Sequence, residues 1–215
     1  MNDRQAKRPL SLLLVMILMQ PVMTFPTQLS ASLAKPLAQE QTIPMNDGWS
    51  PSVEARRRNL KVASYRAKLS GDALLVEVTH EPGWHTYALD NLERARKKAG
   101  EPLLGIEKST RIELSGGLRT AGKWRQSPPK DLSQPEINWF TWGFEDTALF
   151  AVKVRRSGKA KEAVITINGQ ACKESTCALI DDLEIRLPLN ASSSAKTSFD
   201  LASLIEQGDL KDVQE

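Results

Sequence analysis

Residues 61–80, KVASYRAKLSGDALLVEVTH, contain two runs in which apolar and polar residues partly alternate. The runs 61–69 and 73–80 are rich in aliphatic, β-branched and aromatic residues, a pattern that favours strands. Between them lies Ser70-Gly71-Asp72, a combination of residues typical of tight turns. This stretch therefore predicts a β-hairpin.

The same pattern recurs along the rest of the chain. Five further segments, each bounded by turn residues, have strand character: 84–88, 110–114, 149–154, 164–168 and 183–189. Ser157-Gly158-Lys159 predicts another hairpin turn. Short strands with little helix between them predict an all-β fold, an antiparallel β-sandwich of immunoglobulin-like type.

Two stretches break the strand pattern. Residues 91–99 predict a short helical insertion with Asn91 as its cap, Gly100 at its end and several basic residues, Arg94 among them. We expect this insertion to be solvated, with a docking patch as the alternative. Near the C-terminus, apolar residues at almost helical spacing follow a serine-rich linker, which predicts a short helix packed on the domain or on a partner.

The N-terminus predicts an exported protein. Basic residues at positions 4, 7 and 8 precede the apolar run 10–19, and the small-residue site Ser32-Leu33-Ala34 follows, which is the order of a signal peptide. We expect cleavage near Ala34, with an uncleaved anchor as the alternative. The remaining chain is almost neutral, which excludes nucleic acid as an expected partner.

Length and composition agree with one main domain. The chain has 215 residues, 40% of them hydrophobic, with a mean hydropathy of −0.36, which excludes collagen, a disordered tail and a multi-span membrane protein. We expect residues 1–34 to be the signal peptide, 35–59 a linker, 60–189 the β-sandwich, and 190–215 a linker with a possible short helix.

The chain has two cysteines, Cys172 and Cys177, and both lie between two predicted strands. They can therefore face one another across a hairpin-like connection. A disulfide that closes a loop of about six residues stabilises a fold by roughly 2 kcal/mol in the chain-entropy estimate, which is modest. Such a bond is better suited to electron exchange than to stapling, although the spacing alone leaves a structural bond equally open.

His80 and His85, together with the two cysteines, form a nominal set of four zinc ligands. Both spacings differ from the commonest zinc-finger ones, and a bonded cysteine pair lacks the thiolates that zinc needs. We therefore expect no metal and no cofactor. The neighbouring Trp84 and Tyr87 are expected to pack in the core and at its rim.

Three sequence blocks, in order, resemble a known family. Residues 164–172, VITINGQAC, are followed after four residues by Cys177 and a strand ending in Leu-Pro-Leu. Upstream lie the blocks 82–87, PGWHTY, and 110–114, TRIEL. Together they resemble the N-terminal periplasmic domain of the thiol:disulfide interchange protein DsbD family, over about residues 60–189.

The resemblance implies an immunoglobulin-like sandwich that relays reducing equivalents from a membrane-embedded electron donor to periplasmic thioredoxin-fold proteins, in processes such as cytochrome c biogenesis. It also implies that Cys177 bonds the partner and that Cys172 resolves the mixed disulfide. The second function class that we considered is a noncatalytic periplasmic binding or assembly module in which the same cysteines form a fixed structural bond.

In the resembled family a mobile cap loop with an aromatic tip covers the cysteine pair. By position, Trp139 or Phe140 is that tip here, with Glu136 and Asn138 beside it. The alternative is a hydrophobic plug that closes one end of the sandwich. A cap would limit nonspecific reactions by restricting access to sulfur.

The chain also departs from the family pattern. Ala178-Leu179-Ile180 follows the second cysteine, where the family usually has prolines, and the stretch 92–107 is longer than the pattern needs. Full-length family members continue into a membrane electron channel and a thioredoxin domain, and the sequence to Glu215 contains neither. We therefore expect the relay to be completed in trans.

Overall fold

The structure is a computed structural model, and it describes residues 48–100, 107–189 and 199–213. The predicted signal peptide and the serine-rich linker, residues 190–194, lie outside these residues. No helix in the described ranges is both long enough and apolar enough to cross a membrane.

Strands make up most of the described chain. They are β1 (Val53–Arg57), β2 (Leu60–Ser70), β3 (Ala73–His80), β4 (His85–Tyr87), β5 (Arg111–Gly116), β6 (Leu118–Thr120), β7 (Arg125–Gln126), β8 (Lys130–Asp131), β9 (Trp142–Phe144), β10 (Thr147–Arg156), β11 (Glu162–Lys173), β12 (Thr176–Pro188) and β13 (Ile205–Glu206). The α-helix of the described ranges is α1 (Asn91–Ala99), and 3-10 turns occur at Pro135–Ile137 and Leu201–Ser203.

The strands form two antiparallel sheets in the described part of the chain. The seven-stranded sheet has the order β1-β2-β3-β10-β7-β13, with β6 also paired to β10. The six-stranded sheet has the order β12-β11-β4-β9-β8, with β5 also paired to β11. The predicted hairpin joins β2 to β3, in register from Ser70 opposite Ala73. The predicted all-β antiparallel sandwich is therefore confirmed.

The main core lies between the two sheets because alternate side chains of each strand face inward. Phe150 of the seven-stranded sheet meets Phe144 of the six-stranded sheet edge to face, with ring centroids 5.4 Å apart. Val76 and Ile165 are fully buried in the same core cluster. Burial of each such side chain stabilises the fold by about 1.5–3 kcal/mol. Many of them together contribute far more than the roughly 2 kcal/mol expected of the disulfide.

A smaller apolar cluster lies on the outer face of the seven-stranded sheet. It contains Leu75 and Ala151 of the sheet, with Leu204 from the C-terminal segment and Trp49 from the N-terminal segment packed on it. The guanidinium of Arg66 lies 4.7 Å from the Trp49 ring centroid. Ordered structure thus begins upstream of residue 60, in the stretch that we expected to be a linker.

The C-terminal segment differs from the helix that its spacing suggests. It forms one 3-10 turn, Leu201–Ser203, in which the Asp200 side chain accepts a hydrogen bond from the backbone N–H of Ala202, and then strand β13. Ile205 pairs with Gln126 of β7, so this segment packs back on the domain. Cross-strand hydrogen bonds replace the helical ones here.

Helix α1 has the predicted bounds, but its cap is different. Asp90, and not Asn91, is the N-cap residue, and its side chain makes no capping hydrogen bond. Asn91 is the first residue of the helix, and its Oδ1 accepts hydrogen bonds from the backbone N–H of Trp142, at 2.7 Å, and from the hydroxyl of Thr141, at 3.1 Å. Gly100 ends the helix with a φ of 73°, as predicted.

The expectation of a solvated insertion is wrong for Arg94. This side chain is completely buried, and its Nε donates to Asp90 Oδ1 at 2.8 Å while a terminal nitrogen donates to Asp212 Oδ2 at 2.7 Å. Two carboxylates compensate for the loss of water around the guanidinium. Arg96 and Lys97 of the same helix are exposed.

Candidate functional site

The two cysteines lie opposite one another at the end of the β11–β12 hairpin. Cys172 pairs in register with Cys177, their Cα atoms are 4.1 Å apart, and a disulfide joins them. A two-residue turn, Glu174-Ser175, connects the strands, and Glu174 has a left-handed φ of 51°. The predicted cross-strand position of the pair is therefore confirmed.

The two cysteines differ in exposure. Ala171 and Ala178 point into the core, so both cysteines project from the outward face of the sheet. Cys172 is only 2% exposed because its strand, β11, lies between β12 and β4. Cys177 is exposed because β12 is the outermost strand. A thiolate from another protein can therefore reach Cys177 more easily than Cys172.

The PGWHTY block lies beside the disulfide. His85 of β4 pairs in register with Cys172, and its Nε2 is 3.1 Å from the hydroxyl of Tyr87. Burial lowers the pKa of His85 below its usual 6.5. Burial likewise raises the pKa of Tyr87, which keeps its proton. At neutral pH this pair places no charge next to the sulfurs.

The turn before β4 also contacts the cysteine hairpin. Gly83 has a φ of 79°, and a Cβ atom there would lie 3.0 Å from Cε of Lys173. The ammonium group of Lys173 donates a hydrogen bond to the carbonyl oxygen of Pro82 at 3.1 Å. Glycine is favoured at this position by both the backbone conformation and the close approach of the lysine.

Gln170 contacts the sulfur of Cys172, and sequence reasoning missed it. Its Nε2 donates to Cys172 Sγ at 3.2 Å, while its Oε1 accepts from the backbone N–H of Lys108, also at 3.2 Å. The signal that could have identified it is the period of two in a strand, since residues two apart share a face.

The loop between β8 and β9 contains the predicted cap residues. Its tip is the 3-10 turn Pro135–Ile137 followed by Asn138, which has a left-handed φ of 57°. Trp139 lies on the returning arm, where its backbone pairs with Gln134. The indole Nε1–H of Trp139 donates to a carboxylate oxygen of Glu107 at 3.0 Å.

The four predicted cap residues have different environments. Glu136, Asn138 and Trp139 are exposed, with Trp139 at 37%. Phe140 is half-buried and packs against the main core, as a plug would. Ile137, which we did not single out, is 53% exposed at the tip. That any of these side chains shields the disulfide stays a prediction.

The nominal zinc ligands are all engaged elsewhere. His80 Nε2 is 2.8 Å from the hydroxyl of Thr86, and its Nδ1 is 3.1 Å from the carbonyl oxygen of Asp146. His85 contacts Tyr87, and the cysteines are bonded to each other. Among the residues that the structure describes, no three potential ligand side chains lie close enough to hold a metal ion. The predicted core positions of Trp84 and Tyr87 are confirmed, since both are buried.

Comparison with known proteins gives two solved domains of similar type. No family model matches the sequence, and no curated protein matches it. The N-terminal periplasmic domain of ScsB from Proteus mirabilis is similar at 18% identity with a TM-score of 0.46, over 66% of this chain and 52% of that one. The chain thus spans about half the length of that protein's solved chain.

The DsbD N-terminal domain from Neisseria meningitidis, solved in the reduced form, is similar at 12% identity with a TM-score of 0.33. The match covers 68% of this chain and 88% of that one.

Proposed function

We propose that this protein is a thiol–disulfide exchange module that passes electrons through Cys172 and Cys177. The observation that carries the proposal is the unequal exposure of the two cysteines of one disulfide on the outward face of the six-stranded sheet. Structural disulfides need no accessible sulfur, whereas exchange requires a thiolate to reach one.

The reaction follows from this geometry. A partner thiolate attacks Sγ of Cys177, the Cys172–Cys177 bond breaks, and Cys172 leaves as a thiolate. The second thiol of the partner then attacks its own sulfur in the mixed disulfide, and Cys177 leaves in turn. The partner becomes a disulfide, and the protein gains two electrons and two protons. The same steps in reverse deliver electrons to an oxidised partner.

The surroundings of Cys177 suit a protein partner. Leu179 projects from the same face of β12 and is 62% exposed, two residues from the accessible sulfur. Cys177 lies on the outermost strand, so no neighbouring strand stands in front of it in its sheet. An apolar side chain next to a reactive sulfur gives a partner surface to bury during the exchange.

The partners and the compartment follow from the sequence resemblance. We propose that thioredoxin-fold periplasmic proteins exchange with Cys177, that a membrane-embedded electron donor acts in trans, and that the protein is exported after cleavage near Ala34. The expected domain limits 1–34, 35–59, 60–189 and 190–215 belong to the same proposal, with the sandwich extended to include β1 (Val53–Arg57) and β13 (Ile205–Glu206). A role in cytochrome c biogenesis is one setting in which such a relay operates.

The reduction potential of the pair tests the proposal. A working exchange disulfide is expected above about −300 mV, in the range of roughly −270 to −120 mV that exchange proteins cover. A potential below that limit would assign the bond to the structural class, and the protein to the noncatalytic binding modules.

A trapping experiment tests the unequal roles of the cysteines. Reduced Cys172→Ser is mixed with a thioredoxin-fold protein whose reactive cysteine carries a 5-thio-2-nitrobenzoate group. We expect a stable mixed disulfide through Cys177 and release of the yellow thiolate. Reduced Cys177→Ser should react far more slowly because Cys172 is buried. The double serine variant is the control, and equal rates for the two single variants would contradict the assignment.

A further inference from the structure

We propose that Gln170 is a catalytic residue of this exchange, and that its side-chain amide stabilises the thiolate of Cys172 as that sulfur leaves. The inference rests on the proposed function and adds a group that touches a reacting atom. The contact that carries it is the 3.2 Å hydrogen bond from Gln170 Nε2 to Cys172 Sγ.

The orientation of the amide is determined by its other contact. The backbone N–H of Lys108 can only donate, and it lies 3.2 Å from Oε1 of Gln170. The oxygen of the amide must therefore face Lys108, and the NH2 group must face the sulfur. A flipped amide would lose both hydrogen bonds.

The loop that fixes Gln170 is itself held in place. Glu107 precedes Lys108 and accepts the indole N–H of Trp139 at 3.0 Å. Lys108 also forms an exposed ion pair with Asp181 of β12, at 3.2 Å. These contacts tie the 107–108 segment to the β8–β9 loop on one side and to the cysteine hairpin on the other.

Nearby cations do not replace the amide. The ammonium of Lys173 donates to the carbonyl oxygen of Pro82, and the ammonium of Lys108 pairs with Asp181. His85, which pairs with Cys172 across the strands, is neutral at pH 7 because burial lowers its pKa. Tyr87 keeps its proton and bonds to His85.

Nearby anions oppose a thiolate. Glu174 lies in the exposed turn between the cysteines, and the carboxyl group of Glu107 is held by Trp139. Among the described residues, Gln170 is the side chain that donates a hydrogen bond to Cys172 Sγ. The amide is therefore the group placed to offset negative charge on this sulfur.

The chemical consequence concerns the leaving group. When a partner attacks Cys177, the electron pair of the broken bond stays on Cys172. An N–H group directed at that sulfur stabilises the negative charge and lowers the pKa of the thiol. A thiol of lower pKa leaves faster. Gln170 therefore favours attack at Cys177 with departure of Cys172.

The experiment measures the pKa of the Cys172 thiol in a Cys177→Ser background, from the pH dependence of thiolate absorbance at 240 nm. Gln170→Met keeps the size of the side chain and removes the donor, so we expect the pKa to rise by about one unit. Gln170→Glu keeps an acceptor for Lys108 and presents a carboxylate to the sulfur, so the pKa should rise further.

The matched control is Thr166→Val. Thr166 lies on the same outward face of β11, four positions before Gln170, and pairs with Glu184 and Glu113 of the neighbouring strands. This change removes a polar group from the strand without touching the sulfur. It should leave the pKa of Cys172 unchanged.

A second measurement uses the intact disulfide. Gln170→Met should slow its reduction by glutathione about three- to tenfold, while Thr166→Val should not. Thermal melting of each variant verifies folding. Unchanged values of both the pKa and the rate in folded Gln170→Met would overturn the inference.

The outcomes separate the two proposals. A reduction potential typical of structural bonds, together with a raised pKa of Cys172 in the Gln170 variants, would contradict the proposed exchange function. It would still show that Gln170 stabilises the thiolate of Cys172. A potential in the exchange range, with no effect of either Gln170 variant, would retain the function and overturn the role of Gln170.

Discussion

Replacing Arg94 with leucine removes a buried guanidinium that joins α1 to the C-terminal segment. Arg94 donates to Asp90 Oδ1 at 2.8 Å and to Asp212 Oδ2 at 2.7 Å. Without it, the carboxylate of Asp90 stays buried and keeps hydrogen bonds from Gln126 Nε2, at 2.7 Å, and from the backbone N–H of Gly208, at 2.9 Å. The carboxylate of Asp90 then has lost the positive charge of Arg94 that balanced it.

The size of the effect depends on which partner is removed. Breaking a buried ion pair from one side costs about 3–5 kcal/mol because a charge is left without its partner. Asp212 is 41% exposed, so its ion pair is screened by water and Asp212→Asn should cost about 1 kcal/mol or less. We therefore expect the free energy of unfolding to fall several times more in Arg94→Leu than in Asp212→Asn.

Urea unfolding followed by tryptophan fluorescence measures these changes with the disulfide intact. Arg119→Leu, at an exposed position of β6, is the control and should stay within about 0.5 kcal/mol of the natural protein. Asp90→Asn combined with Arg94→Leu should cost less than the sum of the two single changes, since the double variant leaves neither charge unpaired.

Two results would refute this reasoning. One is a cost for Arg94→Leu no greater than that of Asp212→Asn, which would mean that burial of the Asp90–Arg94 pair is unimportant. The other is strict additivity of Asp90→Asn and Arg94→Leu, which would mean that the two side chains do not interact in the native state.

Reduction of the Cys172–Cys177 bond by dithiothreitol should leave the fold intact, at a cost of roughly 2 kcal/mol for a loop of about six residues; cooperative unfolding seen by circular dichroism would contradict this. Replacing Trp139 and Phe140 with alanine should speed alkylation of the reduced cysteines. Unchanged rates in a folded variant would contradict the prediction that these side chains cover the cysteine pair. Burial lowers the pKa of His80 from its usual 6.5, so the unfolded state binds more protons as the pH falls below 6.5. Stability should therefore decrease from pH 7 to pH 5 in urea titrations, and His80→Gln should flatten that dependence; an unchanged slope would assign it to other groups.

The long strands could be predicted from the sequence because their alternation extends over enough residues to be recognised. Residues 73–80 coincide with β3, and the predicted turn at 70–72 joins it to β2. The two-residue strands β7, β8 and β13 could not be predicted, since a run that short has no periodicity. They exist because distant strands supply their hydrogen-bond partners.

The charged residues of α1 show a second limit of prediction from sequence, which concerns distant partners. A run of arginine and lysine normally indicates a solvated helix face, and Arg96 and Lys97 behave in that way. Arg94 does not, because Asp212 reaches it from 118 residues further along the chain. No local pattern indicates such a partner. The same holds for Gln170, whose amide is oriented by a backbone N–H 62 residues away.

The unequal reactivity that we expect of the two cysteines has its origin in strand order. Lys173 and Glu174 lie between them in the sequence, and their opposite charges do not favour either sulfur as the thiolate. The fold distinguishes the sulfurs because β11 has neighbours on both sides near Cys172, whereas β12 ends the sheet. In the proposed exchange, a partner attacks the accessible Cys177, and the buried Cys172 leaves beside an N–H donor. Exchange in this direction places the new negative charge on Cys172, whose sulfur already accepts a hydrogen bond from Gln170.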